Sequence, residues 1–336
     1  MVTRTTVSSA RDVFHSCTLS LDDDTELELQ DIIHRFHRLL GQGTLVLNAK
    51  RKKGNWVGDQ VVVKISFSGE NRTREDEFMK RVKEVATGDH AWALDHLPGI
   101  LWAEQYKIRK DTPADRFAKL LHDELGEKSY EKRALRILVL RPLQPITNFL
   151  TDSKEIAQVF YDILQIHRWL VDHPKIFQRD IHLANIMFHR DQSDGKVYGV
   201  LNDLDLASWL PLETDHSSFL RTGTRPYMSH ELLNPQLRKG KEGQVHRQGH
   251  LYHHDLESIY YVMVTFFTHY EKDEDGLCLR RVKNVEHYLS WFVSSNEHAG
   301  MAKHAALYRE PAPFQPCFSD FRTTVYLLQI PIRKGY

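Results

Sequence analysis

The sequence predicts an α+β fold in two lobes, with a small β-rich N-terminal lobe and a larger helical C-terminal lobe. Residues before 140 include β-branched segments, such as 61–65 and 136–140, of the kind that form buried strands. Beyond residue 145, apolar residues recur with helical spacing over 156–171 and fill 256–267 almost completely. The length of 336 residues suits two such lobes, since a domain takes about 100–200 residues.

Composition excludes several classes of protein. The 45 basic and 45 acidic side chains balance, which argues against a broadly basic nucleic-acid-binding face. The cysteines, Cys17, Cys278 and Cys317, lie too far apart for a disulfide scaffold or a cysteine zinc site. No apolar run has the length of a signal peptide or a membrane span. We therefore expect an intracellular protein, cytoplasmic or nuclear, that binds neither nucleic acid nor a membrane.

Histidine is unusually frequent, with 20 residues in the chain. Four of them cluster at His246, His250, His253 and His254. Because no further ligand lies at a spacing that suits zinc, we interpret the cluster as surface composition.

The N-terminal elements follow from local patterns. Residues 1–25 are polar and predict a poorly ordered arm, while the apolar spacing over 31–40 predicts a helix. An apolar segment after Gly43, a charged turn at 50–59 and the segment 61–65 form a β-hairpin pattern. A helix, a strand, a charged loop and a second strand are then expected at 72–86, 100–108, 111–132 and 136–140.

The strongest chemical signal is the segment 177–187, which follows the long helix. Asp180 is followed five residues later by Asn185, and apolar residues flank both. A phosphotransfer loop needs this arrangement, because the aspartate accepts the proton of the substrate hydroxyl and the asparagine amide oxygen holds Mg²⁺. The pattern predicts Asp180 and Asn185 as catalytic residues.

A second acidic signal follows on the apolar segment 200–207. Asp203 stands at the end of a short strand, where it can bridge Mg²⁺ to the phosphates of a nucleotide. Asp194-Gly195, between the two signals, is typical of a hairpin turn. We therefore expect Asp203 to lie on a strand adjacent to the loop, within reach of the same metal ion.

Four short segments occur along the chain in a fixed order. They are QRDIHLAN at 178–185, NDLDL at 202–206, TGTRPYMSHE at 222–231 and HDLESIY at 254–260. Together they resemble the catalytic loop, the metal-binding segment, the end of the activation segment and a family-specific motif of eukaryotic protein kinases, more narrowly of the fungal-type protein kinase family. The resemblance is strongest over 36–290, and it implies that the aspartate of the last segment holds the backbone of the catalytic loop.

The resemblance also implies a phosphate-binding loop near the N-terminus. Gly41 and Gly43 stand where the glycine-rich loop of kinases covers the nucleotide phosphates. Val46 takes the place of the third glycine of that loop. All three are therefore candidate ATP-binding residues.

Lys64 matches the kinase lysine that pairs with the α- and β-phosphates of ATP. A lysine on an apolar strand needs a partner, and the resemblance implies a glutamate on the following helix. Glu77 is the expected partner, because the neighbouring apolar residues face inward, and Glu75 is the next candidate.

Two residues of the 178–185 segment depart from the kinase pattern, beside Val46 and Asp205, which stand where kinases have glycine. Gln178 replaces the histidine of the catalytic loop, and His182 stands where many kinases carry a lysine that steadies the γ-phosphate. Gln178 can still hydrogen-bond, so we expect reduced or altered support of the loop and retained chemistry. The departures leave a pseudokinase that binds nucleotide without turnover as an alternative. A small-molecule phosphotransferase of the aminoglycoside or choline type is a further alternative, although the segment 222–231 argues against it.

The resemblance implies one catalytic domain, made of a kinase N-lobe at 36–141 and a kinase C-lobe at 142–336, after an arm at 1–35 that is the remnant of a longer extension. It implies a protein serine/threonine kinase that transfers the γ-phosphate of ATP to hydroxyl groups of a protein substrate. The implied cofactors are ATP and Mg²⁺, with Asn185 and Asp203 as the metal ligands.

Overall fold

The computed structural model describes residues 2–3, 17–35, 43–56, 58–125, 132–148, 150–210, 223–234, 250–276, 278–283 and 285–334. These residues form α-helices, short 3₁₀ helices and antiparallel strands, so the α+β prediction is confirmed. The chain divides into two compact units, one of Met1–Met79 and Pro98–Pro142 and the other of Lys80–Leu97 and Leu143–Tyr336. Within the described part of the chain, no helix combines the length and the apolar character needed to cross a membrane.

The first unit is built on one antiparallel sheet. Its strands, among the described residues, are β1 (Val2–Thr3), β2 (Thr18–Ser20), β3 (Glu26–Arg35), β4 (Leu45–Lys53), β5 (Gln60–Gly69), β6 (Ile100–Lys107) and β7 (Arg133–Leu140). They lie in the order β1-β2-β3-β4-β5-β7-β6. The predicted hairpin is confirmed as β4 and β5, with Leu45 opposite Ile65 and Lys50 opposite Gln60. The two strands expected later are β6 and β7.

The expectation of a disordered arm followed by a helix is wrong for the described residues before position 36. Thr18–Ser20 and Glu26–Arg35 are strands of the main sheet. The physical reason is a period of two: Leu27 and Leu29 are fully buried, whereas the polar residues beside them are half-exposed. Ile33, which suggested a helix, is exposed on the strand. Residues 4–16 and 36–42 lie outside the described residues.

Opposite charges pair between β4 and residues 23–28, at and just before the start of β3. Lys52 lies 3.6 Å from Glu28, and Lys53 lies 3.3 Å from Asp24. Lys53 also donates a hydrogen bond to the carbonyl oxygen of Asp23 at 2.5 Å. Exposed pairs of this kind contribute at most about 1 kcal/mol each, but they neutralise a dense basic run and favour this register of the two strands.

Two helices accompany the strands of the sheet. The helix expected at 72–86 is α1 (Glu75–Val85). Within 111–132, where a charged loop is expected, the chain forms α2 (Pro113–Leu125). Proline at the first helical position and an Asp115–Lys119 ion pair of 2.8 Å at i,i+4 spacing favour this helix. A high density of charge is therefore compatible with a solvated helix here.

The second unit is mainly helical. The helix expected at 156–171 is α3 (Ser153–Asp172), whose start is capped by the Asp152 carboxylate, which accepts from the N–H of Lys154 at 2.6 Å. The shorter α4 (His230–Leu233) precedes α5 (Tyr252–His269), which is the helix expected at 256–267. The remaining helices are α6 (Leu289–Val293), α7 (Asn296–Leu307) and α8 (Phe321–Lys334), with 3₁₀ helices at Gly88–His96, Leu183–Asn185 and Pro316–Phe318.

Short strands complete the second unit. They are β8 (Gln144–Pro145), β9 (Ile176–Phe177), β10 (Ile186–Arg190), β11 (Val197–Leu201), β12 (Ser208–Trp209), β13 (Tyr270–Lys272) and β14 (Leu279–Arg281). β10 pairs with β8 and β11, β9 with β12, and β13 with β14. Nearly all of α5 is buried, and Phe160 and Phe318 pack against Phe266 on this helix. The core of the unit therefore surrounds the helix predicted to be buried.

Gly199, in β11, packs against α3 so closely that a side chain has no room. A Cβ there would lie 2.7 Å from the carbonyl oxygen of Val159 and 3.1 Å from the Cβ of Asp162. Because backbone cannot yield cheaply, we expect Gly199→Ala to lower the free energy of unfolding by about 1–3 kcal/mol in chemical denaturation. Gly195→Asn is the control, since open space surrounds Gly195 and asparagine tolerates its φ of 72°. Wild-type stability in Gly199→Ala would contradict this packing.

Candidate active site

A β-hairpin brings the two acidic segments of the second unit together. β10 and β11 pair with Ile186 opposite Leu201. Just beyond them, the N–H of Asn202 donates to the carbonyl oxygen of Asn185 at 2.8 Å. The residue before Asp203 is thus bonded to the end of the catalytic loop, in agreement with the hairpin expected from the sequence.

Gln178 links the two segments through its side chain. It is fully buried. Its Oε1 accepts from the N–H of Asp180 at 2.7 Å, and its Nε2 donates to the carbonyl oxygens of Asn202 at 3.3 Å and Asp203 at 2.7 Å. Gln178 therefore connects the segment 178–185 to the segment 202–206 by hydrogen bonds, in the place where the kinase pattern has a histidine.

Gln178→Leu removes these three bonds at nearly constant side-chain volume. The N–H of Asp180 and the carbonyl of Asp203 lose a buried partner, so we expect the free energy of unfolding to fall by about 2–4 kcal/mol in urea denaturation. Gln165→Leu is the matched control, because Gln165 is exposed and its side chain donates to the hydroxyl of Tyr161 on the same helix. Its stability should change by about 0.5 kcal/mol or less. Equal effects of the two substitutions would show that Gln178 does not support the loop.

Asp180 is held on one side by the segment after residue 222. Its Oδ1 accepts from the N–H of Thr224 at 2.7 Å and from the Thr224 hydroxyl at 2.9 Å. Its Oδ2 lies 3.7 Å from Nε2 of His182. Burial raises the pKa of Asp180 and the nearby Asp203 carboxylate adds to the rise, against the lowering by His182 and Thr224. A raised pKa makes the carboxylate a better proton acceptor.

Asn185 and Asp203 offer the oxygen atoms that a magnesium ion prefers. Asn185 is buried, and its Nδ2 donates to the carbonyl oxygen of Asp180 at 3.0 Å, which directs the amide oxygen away from the loop backbone. Asp203 has a φ of 64°, and its Oδ1 accepts from the N–H of Asp205 at 3.1 Å. Such strained backbone concentrates at functional sites. The donor set of the two residues therefore fits Mg²⁺.

Asp255 in α5 holds the backbone of the catalytic loop, as the resemblance implies. It is fully buried, and its Oδ2 accepts from the N–H of Arg179 at 3.4 Å. His167 Nε2 lies 3.1 Å from Oδ2, and His250 Nε2 lies 2.6 Å from Oδ1. Burial alone would raise the pKa of Asp255, but the two histidines outweigh it and hold this pKa well below its usual range. The loop is therefore anchored on an ionised carboxylate.

Glu231 in α4 is also supported by histidines. His254 Nε2 lies 3.3 Å and His253 Nε2 lies 3.7 Å from its Oε2. They outweigh the opposing effect of burial and lower the pKa of Glu231 to about 2. The interpretation of the histidine cluster as surface composition is wrong for His250 and His254, which are buried. His246 lies outside the described residues.

Glu231, His253 and His254 are close enough together to hold a metal ion, but a hydrogen bond argues against that role. The N–H of Leu251 donates to Nδ1 of His254 at 3.0 Å, so Nδ1 carries no proton. The proton of the neutral ring is then on Nε2, which faces the glutamate as a donor and cannot ligate a metal. The cluster connects α4 to α5 by hydrogen bonds.

His254 makes the stability of the fold depend on pH. Burial lowers its pKa to about 4 from 6.5, so the unfolded chain binds a proton that the folded chain refuses as the pH falls between these values. We expect this difference in proton uptake at His254 to lower the free energy of unfolding by about 2 kcal/mol when the pH falls from 7 to 5. In His254→Gln, which keeps a donor for Glu231, this loss should disappear. Urea unfolding of both proteins at both pH values is the test, and the same loss in each would contradict the assignment.

Lys64, in the first unit, pairs with Glu75 instead of the expected Glu77. Its Nζ lies 2.5 Å from Oε1 of Glu75, and both side chains are buried. Glu77 is exposed, and its Oε2 accepts from the N–H of Arg74 at 3.4 Å. The helix geometry explains the correction, because residue 75 shares the buried face of Phe78 at i+3 whereas residue 77 does not. The spacing of the apolar residues along the helix therefore favours Glu75 over Glu77.

The expected phosphate-binding loop lies partly outside the described residues, and Gly41 is one of those not described. Gly43 has a φ of 51°, a left-handed conformation that glycine favours, and it leads into β4. Val46 in β4 is half-buried and lies opposite Lys64 in β5. The sheet therefore places Val46 and Lys64 on neighbouring strands.

The sequence analysis assigns no role at the site to two contributors to this region. Thr224 bonds to Asp180, although it is 44 residues away. Lys303 in α7 is fully buried and bonds to the turn that follows Thr224. The order of the four motifs could have suggested Thr224, but Lys303 lies beyond the last motif and only tertiary packing identifies it.

Comparisons with known proteins address the family of the chain. Among solved structures, the Cydia pomonella granulovirus kinase PK-1 aligns over 89% of this chain and 86% of its own, with a TM-score of 0.49 and 9% identity. No curated protein matches the sequence. A family model described as fungal protein kinase matches residues 4–267, which include the catalytic loop, the metal-binding segment and α1. The chain therefore belongs to the fungal protein kinase family, a family of kinase-type phosphotransferases.

Proposed function

We propose that this chain is an ATP-dependent protein kinase that transfers the γ-phosphate of ATP to serine or threonine hydroxyls of a protein substrate. The observation that carries the proposal is the network around Gln178, which joins the backbones of Asp180 and Asp203. Asn185 is bonded into the same network through Asp180. Phosphoryl transfer depends mainly on positioning and on charge neutralisation, and this network supplies the positioning.

Asp180 is the proposed acceptor of the hydroxyl proton. Its Oδ1 already receives two hydrogen bonds from Thr224, so Oδ2 is the oxygen for the incoming hydroxyl group. The oxygen of that hydroxyl forms the new bond to phosphorus as the bond to ADP breaks, and the proton goes to Oδ2. The raised pKa of Asp180 suits this task.

Asn185 and Asp203 would hold Mg²⁺ through their side-chain oxygens, and the ion would neutralise charge on the phosphates. Lys64 would pair with the α- and β-phosphates. Its partner Glu75 orients the ammonium group, since a lysine on a buried strand is held in one place by a carboxylate at 2.5 Å. Gly41, Gly43 and Val46 would lie against the nucleotide phosphates, as the resemblance implies.

His182 would supply a hydrogen-bond donor to the transferred phosphoryl group. The N–H of Ala184 donates to its Nδ1 at 3.3 Å, so the neutral ring carries its proton on Nε2. The ring stacks on Tyr227 with a centroid distance of 6.3 Å. His182 can therefore replace one hydrogen bond of the lysine found in many kinases, without its positive charge.

The segment from Gly223 to His230 supports a protein as the substrate. It lies beside Asp180, to which Thr224 is bonded, and its far end is fixed where the N–H and Nδ1 of His230 bond to Glu257 at 2.7 and 2.8 Å. A segment ordered at both ends next to the catalytic carboxylate is suited to bind an extended peptide.

Labelled phosphate from γ-labelled ATP, offered with Mg²⁺ to a peptide library and to a panel of sugars and choline, tests the proposal. We expect label on serine or threonine of peptides, and none above background with Asp180→Ala. Transfer to small alcohols alone would identify a small-molecule phosphotransferase. If the wild type binds nucleotide but transfers no more label than the background seen with Asp180→Ala, the chain is a pseudokinase.

A further inference from the structure

Lys303 is a fully buried lysine that the proposed chemistry does not use. It projects from α7, and its Nζ donates to the carbonyl oxygens of Met228 at 2.5 Å and Arg225 at 3.3 Å. The same nitrogen lies 4.3 Å from the centroid of the Tyr261 ring. Burying an amine costs free energy, so its two hydrogen bonds to one turn of the chain indicate that Lys303 has a role at that turn.

Arg225 holds the same turn from the other side. Its guanidinium donates to the carbonyl oxygen of Ser294 at 2.8 Å and to that of Phe292. These carbonyls are at the C-terminal end of α6, where a cation is favourable. Lys303 and Arg225 thus attach the turn to α7 and to α6 respectively.

The turn held by Lys303 and Arg225 is hydrogen-bonded to the Asp180 carboxylate through Thr224. The N–H groups of Tyr227 and Met228 donate to the carbonyl oxygen of Thr224 at 2.8 and 3.2 Å, so Thr224 moves with the turn. Thr224 in turn gives Asp180 both of the hydrogen bonds to Oδ1. A displacement of the turn would therefore change the direction in which Oδ2 points.

We propose that Lys303 is a positioning residue for phosphoryl transfer, which fixes the turn 224–228 and, through Thr224, the orientation of the Asp180 carboxylate. This inference rests on the proposed function, because it assigns a purpose to the geometry of the same site. The amine needs no charge for this role, since even a neutral amine has two N–H donors for the two carbonyls. Burial lowers the pKa of Lys303 well below its usual value, against the opposing effect of Glu257.

The test is a double-mutant cycle on kcat for peptide phosphorylation, at a temperature well below the lowest melting temperature of the set. Lys303→Met keeps the aliphatic chain and removes the donors, and Thr224→Val removes the hydroxyl bond to Asp180. We expect Lys303→Met to lower kcat about tenfold, since a small misplacement of a catalytic group costs up to about a hundredfold. KM for ATP should stay within about twofold of wild type. The double variant should be no slower than the slower single variant, because both act through one contact.

Lys272→Met is the matched control, an exposed lysine of β13 outside the site, and it should leave kcat unchanged. If Lys303→Met does not fold, Arg225→Met takes its place in the cycle, because it loosens the same turn from the side of α6. The inference would be overturned if folded Lys303→Met had the kcat of the wild type. It would also be overturned if the fold-losses in kcat of the two single variants multiplied in the double variant. If the wild type itself transfers no phosphate, the proposed function fails, and this inference fails with it.

Discussion

Asp180→Asn is expected to reduce the rate of peptide phosphorylation by about 10²- to 10⁴-fold, the usual contribution of a positioned general base. The substitution is isosteric, and the amide oxygen can still accept both hydrogen bonds that Thr224 gives to Oδ1. What disappears is the capacity to take a proton. The loss should therefore fall on kcat, with KM for ATP nearly unchanged.

The same variant should be as stable as the wild type or more stable. Burial and the neighbouring Asp203 raise the pKa of Asp180, which means that the charged form is unfavourable in the fold. Removing that charge relieves the cost. Asp194→Asn, in the exposed turn of the β10–β11 hairpin, is the matched control and should change neither rate nor stability. Retention of wild-type kcat by Asp180→Asn would exclude this carboxylate as the base.

Lys64→Met is expected to affect both stability and nucleotide binding. It leaves the Glu75 carboxylate, which is 4% exposed, without its ammonium partner. Breaking a buried pair in this way costs about 3–5 kcal/mol, measurable by chemical denaturation. Loss of a charged hydrogen bond to phosphate should also weaken ATP binding by about tenfold to a hundredfold.

The double variant Lys64→Met with Glu75→Leu separates the two effects. Apolar side chains in place of both charges should restore most of the stability, because both charges of the buried pair are then gone. ATP binding should stay weak, since no ammonium group is left at position 64. Calorimetric titration with ATP measures the affinity, and wild-type affinity in the stable double variant would exclude Lys64 from the nucleotide site.

Elements with a strong local pattern were predictable from the sequence. The apolar run at 256–267 is long enough for a buried helix and lies in α5, and the β-branched segment 61–65 forms the first half of β5. The strands before residue 36 were not predictable, because their buried apolar residues, such as Leu19, Leu27 and Leu29, are few and polar residues separate them. The helix α2 is not predicted by its composition, because the dense charges of Pro113–Leu125 suit a solvated loop as well as a solvated helix.

The residues of the site also differ in how far the sequence predicts them. Asp180 and Asn185 carry a spacing that the chemistry demands, so the sequence alone predicts them as catalytic residues, and the structure joins them by a hydrogen bond within one loop. The histidines that support Asp255 and Glu231 could not be assigned, because His167 meets Asp255 across 88 residues and only the packing of α3 on α5 joins them. A buried histidine and a surface histidine have no local pattern that distinguishes them.

ATP binding with and without Mg²⁺, measured by calorimetry on the wild type and on Asp203→Asn, tests the central claim most directly. The claim is that Asn185 and Asp203 are the metal ligands of a kinase nucleotide site. It predicts that Mg²⁺ tightens ATP binding to the wild type and that this gain is largely lost in Asp203→Asn. Equal affinity of the wild type with and without Mg²⁺, or an undiminished gain in the variant, would contradict it.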